Sequence, residues 1–174
     1  MTDPENGESE SDVTLATVEL GLAANLNENV SADILFLFEE DETDLEVDTA
    51  QLRYDFSNSP LSLTAGQIYV PFGTFQTALI SDTLTLELGE TRESALLLEY
   101  EQDAWSGSFY LFNGDNNEDG GNNIDSWGAN VAYTNDRFSL GFGFINNIGD
   151  SDALQDSLSS NDVCLLYTSD AADE

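Results

Sequence analysis

Lysine and histidine are missing from this chain, and its only cations are Arg53, Arg92 and Arg137. Against these three stand 35 acidic residues, for a net charge of −32. So lopsided a balance excludes nucleic acid as a partner, because binding a polyanion requires cations that displace its counterions. It suits instead the attraction of metal ions and cationic solutes, or solubility in a saline habitat. Without histidine, the usual hydrolytic triads and most transition-metal sites drop out as well. Long hydrophobic runs are also lacking. Mean hydropathy is −0.27, and no stretch approaches the roughly 18 apolar residues of a spanning helix. A transmembrane β-barrel survives that test, since its strands alternate and average to ordinary hydropathy.

Cysteine is nearly absent too. The single Cys164 opens the run Cys164-Leu165-Leu166-Tyr167-Thr168-Ser169-Asp170-Ala171-Ala172-Asp173-Glu174, which resembles a translated transposase sequencing adaptor. Residues 163–174 are therefore set apart as an adaptor-derived tail, and Cys164 carries no redox or nucleophile argument. The acidity survives without the tail. Residues 1–12 form a polar, acidic lead-in, expected to be disordered, without the charged and apolar regions of a signal peptide. An adaptor tail implies a truncated gene in which Met1 can be internal, so the missing signal does not fix the compartment.

What the chain does have is a rhythm. Strand-like runs of about ten residues are joined alternately by a tight turn and a longer connection. The tight joints are Asn27-Glu28-Asn29, Ser57-Asn58-Ser59-Pro60, Asp103-Ala104 and Asn135-Asp136-Arg137. The longer ones are Glu39 to Asp44, Pro71 to Arg92, Gly114 to Asn123 and the residues after Asn146. Short turns at one end and long loops at the other are the habit of outer-membrane barrels, with the turns periplasmic. The strand ending at Leu26 then runs inward, and at least one strand should precede it.

The runs have two faces. Val18, Leu20, Leu22 and Ala24 oppose Glu19, Gly21, Ala23 and Asn25, and Leu52, Tyr54 and Phe56 oppose Gln51, Arg53 and Asp55. Trp105, Phe109 and Leu111 oppose Ser106, Ser108 and Tyr110, while Phe138, Leu140, Phe142 and Phe144 oppose Ser139, Gly141 and Gly143. Leu61 to Val70 is ambiguous, because Gln67 shares the register of Leu61 and Leu63. Alternation alone also fits a sandwich. The aromatic residues favour the barrel. Tyr54, Phe56, Tyr100, Trp105, Tyr133 and Phe138 lie beside the tight turns, and Phe38, Tyr69, Phe112, Trp127 and Phe144 lie near the long connections. Rings collect at both membrane interfaces. The expected fold is all-β: an antiparallel up-and-down transmembrane barrel fragment over 13–162, about eight strands of a larger barrel.

Three places could carry chemistry. The Pro71 to Arg92 connection exceeds ordinary loop length. It either folds into the lumen, lining it with Asp82, Glu87, Glu90, Arg92 and Glu93, or forms an extra strand or hairpin over Thr83 to Leu88. Arg53 falls on a polar face and can pair with Asp33 or Glu99. Asp115, Asn117 and Asp119 in Gly114-Asp115-Asn116-Asn117-Glu118-Asp119-Gly120 have the spacing of a weak calcium loop. Ser126 stands where an EF-hand needs glutamate, so a solvated external loop is the favoured reading. No other cofactor is expected, and no enzyme, although facing carboxylates could also serve a glycosidase.

The segments Leu45-Glu46-Val47-Asp48, Leu63-Thr64-Ala65-Gly66-Gln67-Ile68-Tyr69-Val70-Pro71-Phe72-Gly73 and Ile80-Ser81-Asp82-Thr83-Leu84-Thr85-Leu86-Glu87-Leu88-Gly89-Glu90-Thr91-Arg92-Glu93 resemble the LbtU-family siderophore porins, as does Ala153-Leu154-Gln155-Asp156-Ser157-Leu158. Thr83, where that family usually carries proline, departs from it. The resemblance implies a porin-like channel in the bacterial outer membrane, contacting lipid and admitting iron-siderophore complexes. It assigns no ligand residue or oligomeric state. An acidic lumen sits awkwardly with anionic ferric siderophores. The rival is a secreted acidic carbohydrate-binding β-sandwich, in which the apolar faces pack on each other.

Overall fold

The structure, a computed structural model, describes residues 17–40, 43–72, 91–113, 124, 126–146 and 164–171. Among them run nine strands: β1 (Thr17–Asn27), β2 (Val30–Glu39), β3 (Thr43–Asp55), β4 (Leu61–Tyr69), β5 (Arg92–Gln102), β6 (Trp105–Phe112), β7 (Ser126–Thr134), β8 (Phe138–Ile145) and β9 (Cys164–Ala171). They form one sheet in sequence order, each strand antiparallel to the next, with β1 and β9 at open edges. The all-β, up-and-down expectation is met. Closure into a barrel is not seen among these strands.

Local chemistry makes the tight joints. Asn58 and Asp103 take positive φ angles of 58° and 54°, which short polar side chains tolerate best after glycine. Asn135 Oδ1 accepts from the backbone amides of Arg137 and Phe138 at 2.8 and 3.0 Å. Asn29 Nδ2 donates to the Asp55 carbonyl at 2.9 Å and to Ser57 Oγ at 3.0 Å, tying the first turn to the second.

Two places depart from the period-two reading. The connection expected from Glu39 to Asp44 shrinks to residues 40–42, since β3 already begins at Thr43. The ladder there passes a bulge: Leu35 pairs with Thr49 but Phe36 with Val47, so Asp48 is the extra residue. A bulge shifts alternation by one, which hides the strand's first half from a periodic search. The tail is the second place. Its backbone pairs with β8 from Phe138↔Ala171 to Ile145↔Cys164, extending the sheet where 163–174 was set apart. An unpaired edge accepts any extended segment.

The two faces carry their side chains inverted relative to a water-soluble sheet. One face aligns Leu20 with Phe36, Leu52 with Ala65, Leu63 with Leu98, and Phe109 with Ala129. This apolar face is bare: Leu20 is 56% exposed, Trp105 54%, Phe142 50% and Leu98 39%. The other face carries Ser62 and Thr64, only 4% and 3% exposed. Buried on it near the long connections is a cluster of Ile68, Val70, Phe72, Ala95, Leu97, Tyr110, Phe112 and Ile145. Phe112 belongs to this inner cluster, opposite Ser126, and not to an outer aromatic band.

The remaining rings do band the apolar face. Near the tight turns Tyr54 meets Phe56 edge-on at 5.0 Å, and Tyr133 meets Trp105 and Phe138 at 5.0 and 5.7 Å. Towards the other end Trp127 contacts Phe109 at 5.9 Å and Phe144 at 4.9 Å.

Inside, the Tyr110 ring covers Gly128 on the neighbouring strand. A Cβ on Gly128 would lie 2.2 Å from Tyr110 Cζ, and Tyr110 is fully buried with no room to retreat. We expect Gly128→Ala to cost about 1–3 kcal/mol through overpacking, read as a lower urea midpoint of the folded protein.

Candidate functional site

The inner face divides by height. Its half nearer the long connections holds the apolar cluster, and its half nearer the tight turns is polar. The polar half borders an open-sided cavity of about 510 Å³, lined by Arg53, Asp55, Ser62, Glu99, Glu101, Ser106, Ser108 and Asn130, with Pro71 above. The register assembles it. Asp55, Ser62, Glu99, Ser108 and Asn130 stand in one row across β3 to β7.

Arg53 reaches over β4 to that row. Its Nη1 lies 2.5 Å from Glu99 Oε2, and its Nε lies 2.9 Å from Asp55 Oδ1. Ser62 Oγ donates to the same Glu99 oxygen at 3.3 Å. Both partners of the short pair remain about one-third exposed, so the pair adds little stability. Its effect is on local charge. Of the two partners the alternation offered, Glu99 is the one engaged. Asp33 shares the face but stands opposite Gln51, and Arg53 stands opposite Ser31.

The chain leaving β4 borders the cavity from above. Asn130 Nδ2 donates to the Pro71 carbonyl, across β5 and β6, and Phe72 buries its ring in the apolar cluster. The beginning of the Pro71 to Arg92 connection thus lies on the inner face. Asp82, Glu87 and Glu90, and the alternative strand over Thr83 to Leu88, lie outside the described residues, as do residues 1–12 and Ala153 to Leu158. The same holds for the calcium candidates Asp115, Asn117 and Asp119. Among the described residues no group of three or more His, Cys, Asp or Glu is placed to hold a metal ion.

Arg92 belongs elsewhere. It pairs with Tyr69, in the register of Leu96, Leu98 and Tyr100, which is the apolar face. There its Nη1 lies 3.0 Å from both Glu46 Oε1 and Asp48 Oδ1. Tyr69 donates its hydroxyl to Asp48 Oδ1 at 2.8 Å, and Gln67 Nε2 donates to the Asp48 carbonyl at 3.2 Å. This rim cluster explains why Gln67 shares a register with leucines. Glu93 does fall on the inner face, buried opposite Ile68. Ser62, Ser106, Ser108 and Asn130 were not singled out in the sequence, although the alternation that places Arg53 and Glu99 also places them.

The described residues contain no helix long and apolar enough to cross a membrane, which says nothing of strands. The chain is 33% identical over 162 residues to a UPF0422 protein of Legionella pneumophila strain Paris, covering 84% of this chain and 31% of that protein. A UPF0422 protein of Coxiella burnetii is 36% identical over 110 residues, 58% of this chain and 24% of that protein. The chain thus spans less than a third of the curated relatives it matches. No family model matches it, and no solved structure does.

Proposed function

We propose that this chain forms part of a porin-like β-barrel in a bacterial outer membrane and contributes to a channel for small solutes, iron-siderophore complexes among them. The observation that carries this reading is the inverted sheet. Soluble proteins rarely leave contiguous apolar patches larger than a few hundred Å². Here the apolar face is bare across β1 to β8 while serines and threonines are buried behind it. Lipid is the solvent that makes such a face favourable. Strand lengths of eight to thirteen residues agree with the ~9–11 needed to cross the hydrocarbon at a tilt. The ring bands at the two heights agree with interfacial anchoring.

A carbohydrate-binding sandwich would need a second sheet packed on the apolar face. The described strands form a single sheet and do not favour it. The orientation follows the turns: Asn27 to Asn29 and its counterparts at the periplasm, the long connections outside. The remaining strands of the wall would come from elsewhere in the full-length protein. The iron-siderophore assignment rests on the resemblance to siderophore porins, and the role is passage, not catalysis.

Planar-bilayer recording tests it. The full-length protein should give stepwise conductance, reduced by micromolar additions of a ferric siderophore. A silent bilayer, with the protein behaving as a detergent-free soluble monomer, sinks the channel. Conductance indifferent to every ferric complex would leave a porin and remove the iron.

A further inference from the structure

We infer that the cavity on the turn side of the inner face is a charge filter, in which Glu99 masks the one arginine and leaves the path selective for cationic solutes. This inference rests on the channel reading above and deepens it. Among the described residues Arg53 is the only cation lining the cavity, against the carboxylates of Asp55, Glu99 and Glu101. Its guanidinium is engaged twice, by Glu99 and Asp55. What it offers to a passing anion is correspondingly small, and the lining remains net negative. Ser108 and Asn130 stand on the far wall of the same row and add no charge to it, and the Asn130 amide nitrogen is held by the Pro71 carbonyl.

Rings of charged side chains set the sign of the ion that a pore admits. The position of this cavity makes it the candidate filter of the described wall, because the other half of the inner face is filled by the apolar cluster around Tyr110 and Phe112. Among iron complexes the filter favours those carrying a net positive charge. That removes the conflict between an acidic lumen and an iron cargo, since a ferric trihydroxamate with a free ammonium group is a cation. A ferric tris-catecholate is a trianion and would be repelled.

The test is the reversal potential of the full-length protein in a planar bilayer under a KCl gradient at low salt. Wild type should prefer potassium over chloride. Arg53→Gln should raise that preference and Glu99→Gln should lower it, each by up to about fivefold, the worth of a unit charge about 4 Å from the path in water. Arg53→Lys, which keeps the charge and loses the planar fork, should match wild type. This variant separates charge from fold, and heat-modifiable mobility on gels confirms that each protein is folded. The ammonium-bearing ferric trihydroxamate should block current at lower concentration than the tris-catecholate.

Conductance whose ion preference is unmoved by both charge-removing variants overturns the filter and leaves the channel standing. A preference for chloride in wild type does the same. Absence of conductance removes the channel, and the filter with it.

Discussion

Replacing Gly66 with alanine should unfold the β3–β4–β5 region. Gly66 has a φ of +146° in mid-strand, and a Cβ there would lie 2.1 Å from the Ala50 carbonyl oxygen and 2.8 Å from Gln51 Cα. Both obstacles are backbone, so no side chain can turn aside. The backbone conformation itself is one that residues with a Cβ rarely hold, at a cost of about 1–3 kcal/mol. The steric overlap adds about 1–3 kcal/mol more. Together these reach the lower end of the stability of an ordinary domain, about 5 kcal/mol. The measurement is refolding of the full-length protein into vesicles, followed by heat-modifiable mobility. Gly21→Ala supplies the control, because its Cβ would make only an ordinary 3.8 Å contact with Leu35. If Gly66→Ala refolds as well as Gly21→Ala, the tight approach of β4 to β3 is not a feature of the folded protein.

The second large effect concerns the solvent of the apolar face. Leu98 stands at mid-height between Leu63 and Phe109 and is exposed. Leu98→Arg should cost about 2–4 kcal/mol of folding free energy in a bilayer, where an arginine must lose its hydration. Ser106→Arg on the inner face, at the tight-turn end of the polar cavity wall, should cost far less. In water the ranking would reverse, since a charge in place of an exposed leucine only improves solubility. Urea titration of both variants in vesicles of matched lipid decides it. A neutral Leu98→Arg in lipid would count against the membrane assignment of this face as a whole.

Much of this arrangement could be read in the residues alone, and the parts that could not share one cause. Alternation put Arg53 and Glu99 on a common polar side, and the Asn and Asp turns set the hairpin ends. Choosing Glu99 over Asp33 required the register of three strands, because Arg53 bridges to Glu99 across an intervening β4. Register is a relation between strands, and periodicity within one strand does not contain it. Arg92 illustrates the same gap. Treated as the end of a loop it belonged to the lumen, but as the first residue of β5 it falls in step with Leu96 and Leu98. The bulge at Asp48 conceals the first half of β3 in the same way. It breaks the count, so the alternation of Gln51 to Phe56 does not extend back to the strand's start at Thr43.

The hydrogen bond from Asn130 to the Pro71 carbonyl joins residues 59 apart in sequence, with β5 and β6 lying between them. That geometry implies an order of events. The β5–β6 hairpin closes through a two-residue turn and needs nothing distant. The span leaving β4 can reach Asn130 only after that hairpin has been laid down and β7 has zipped onto its far side. Long-range closures of this kind come late, because the chain must give up the freedom of every intervening residue first. The contact is therefore a latch that can be set only once β7 has joined. A chain halted before β7 joins would expose its polar interior with nothing yet drawn across it.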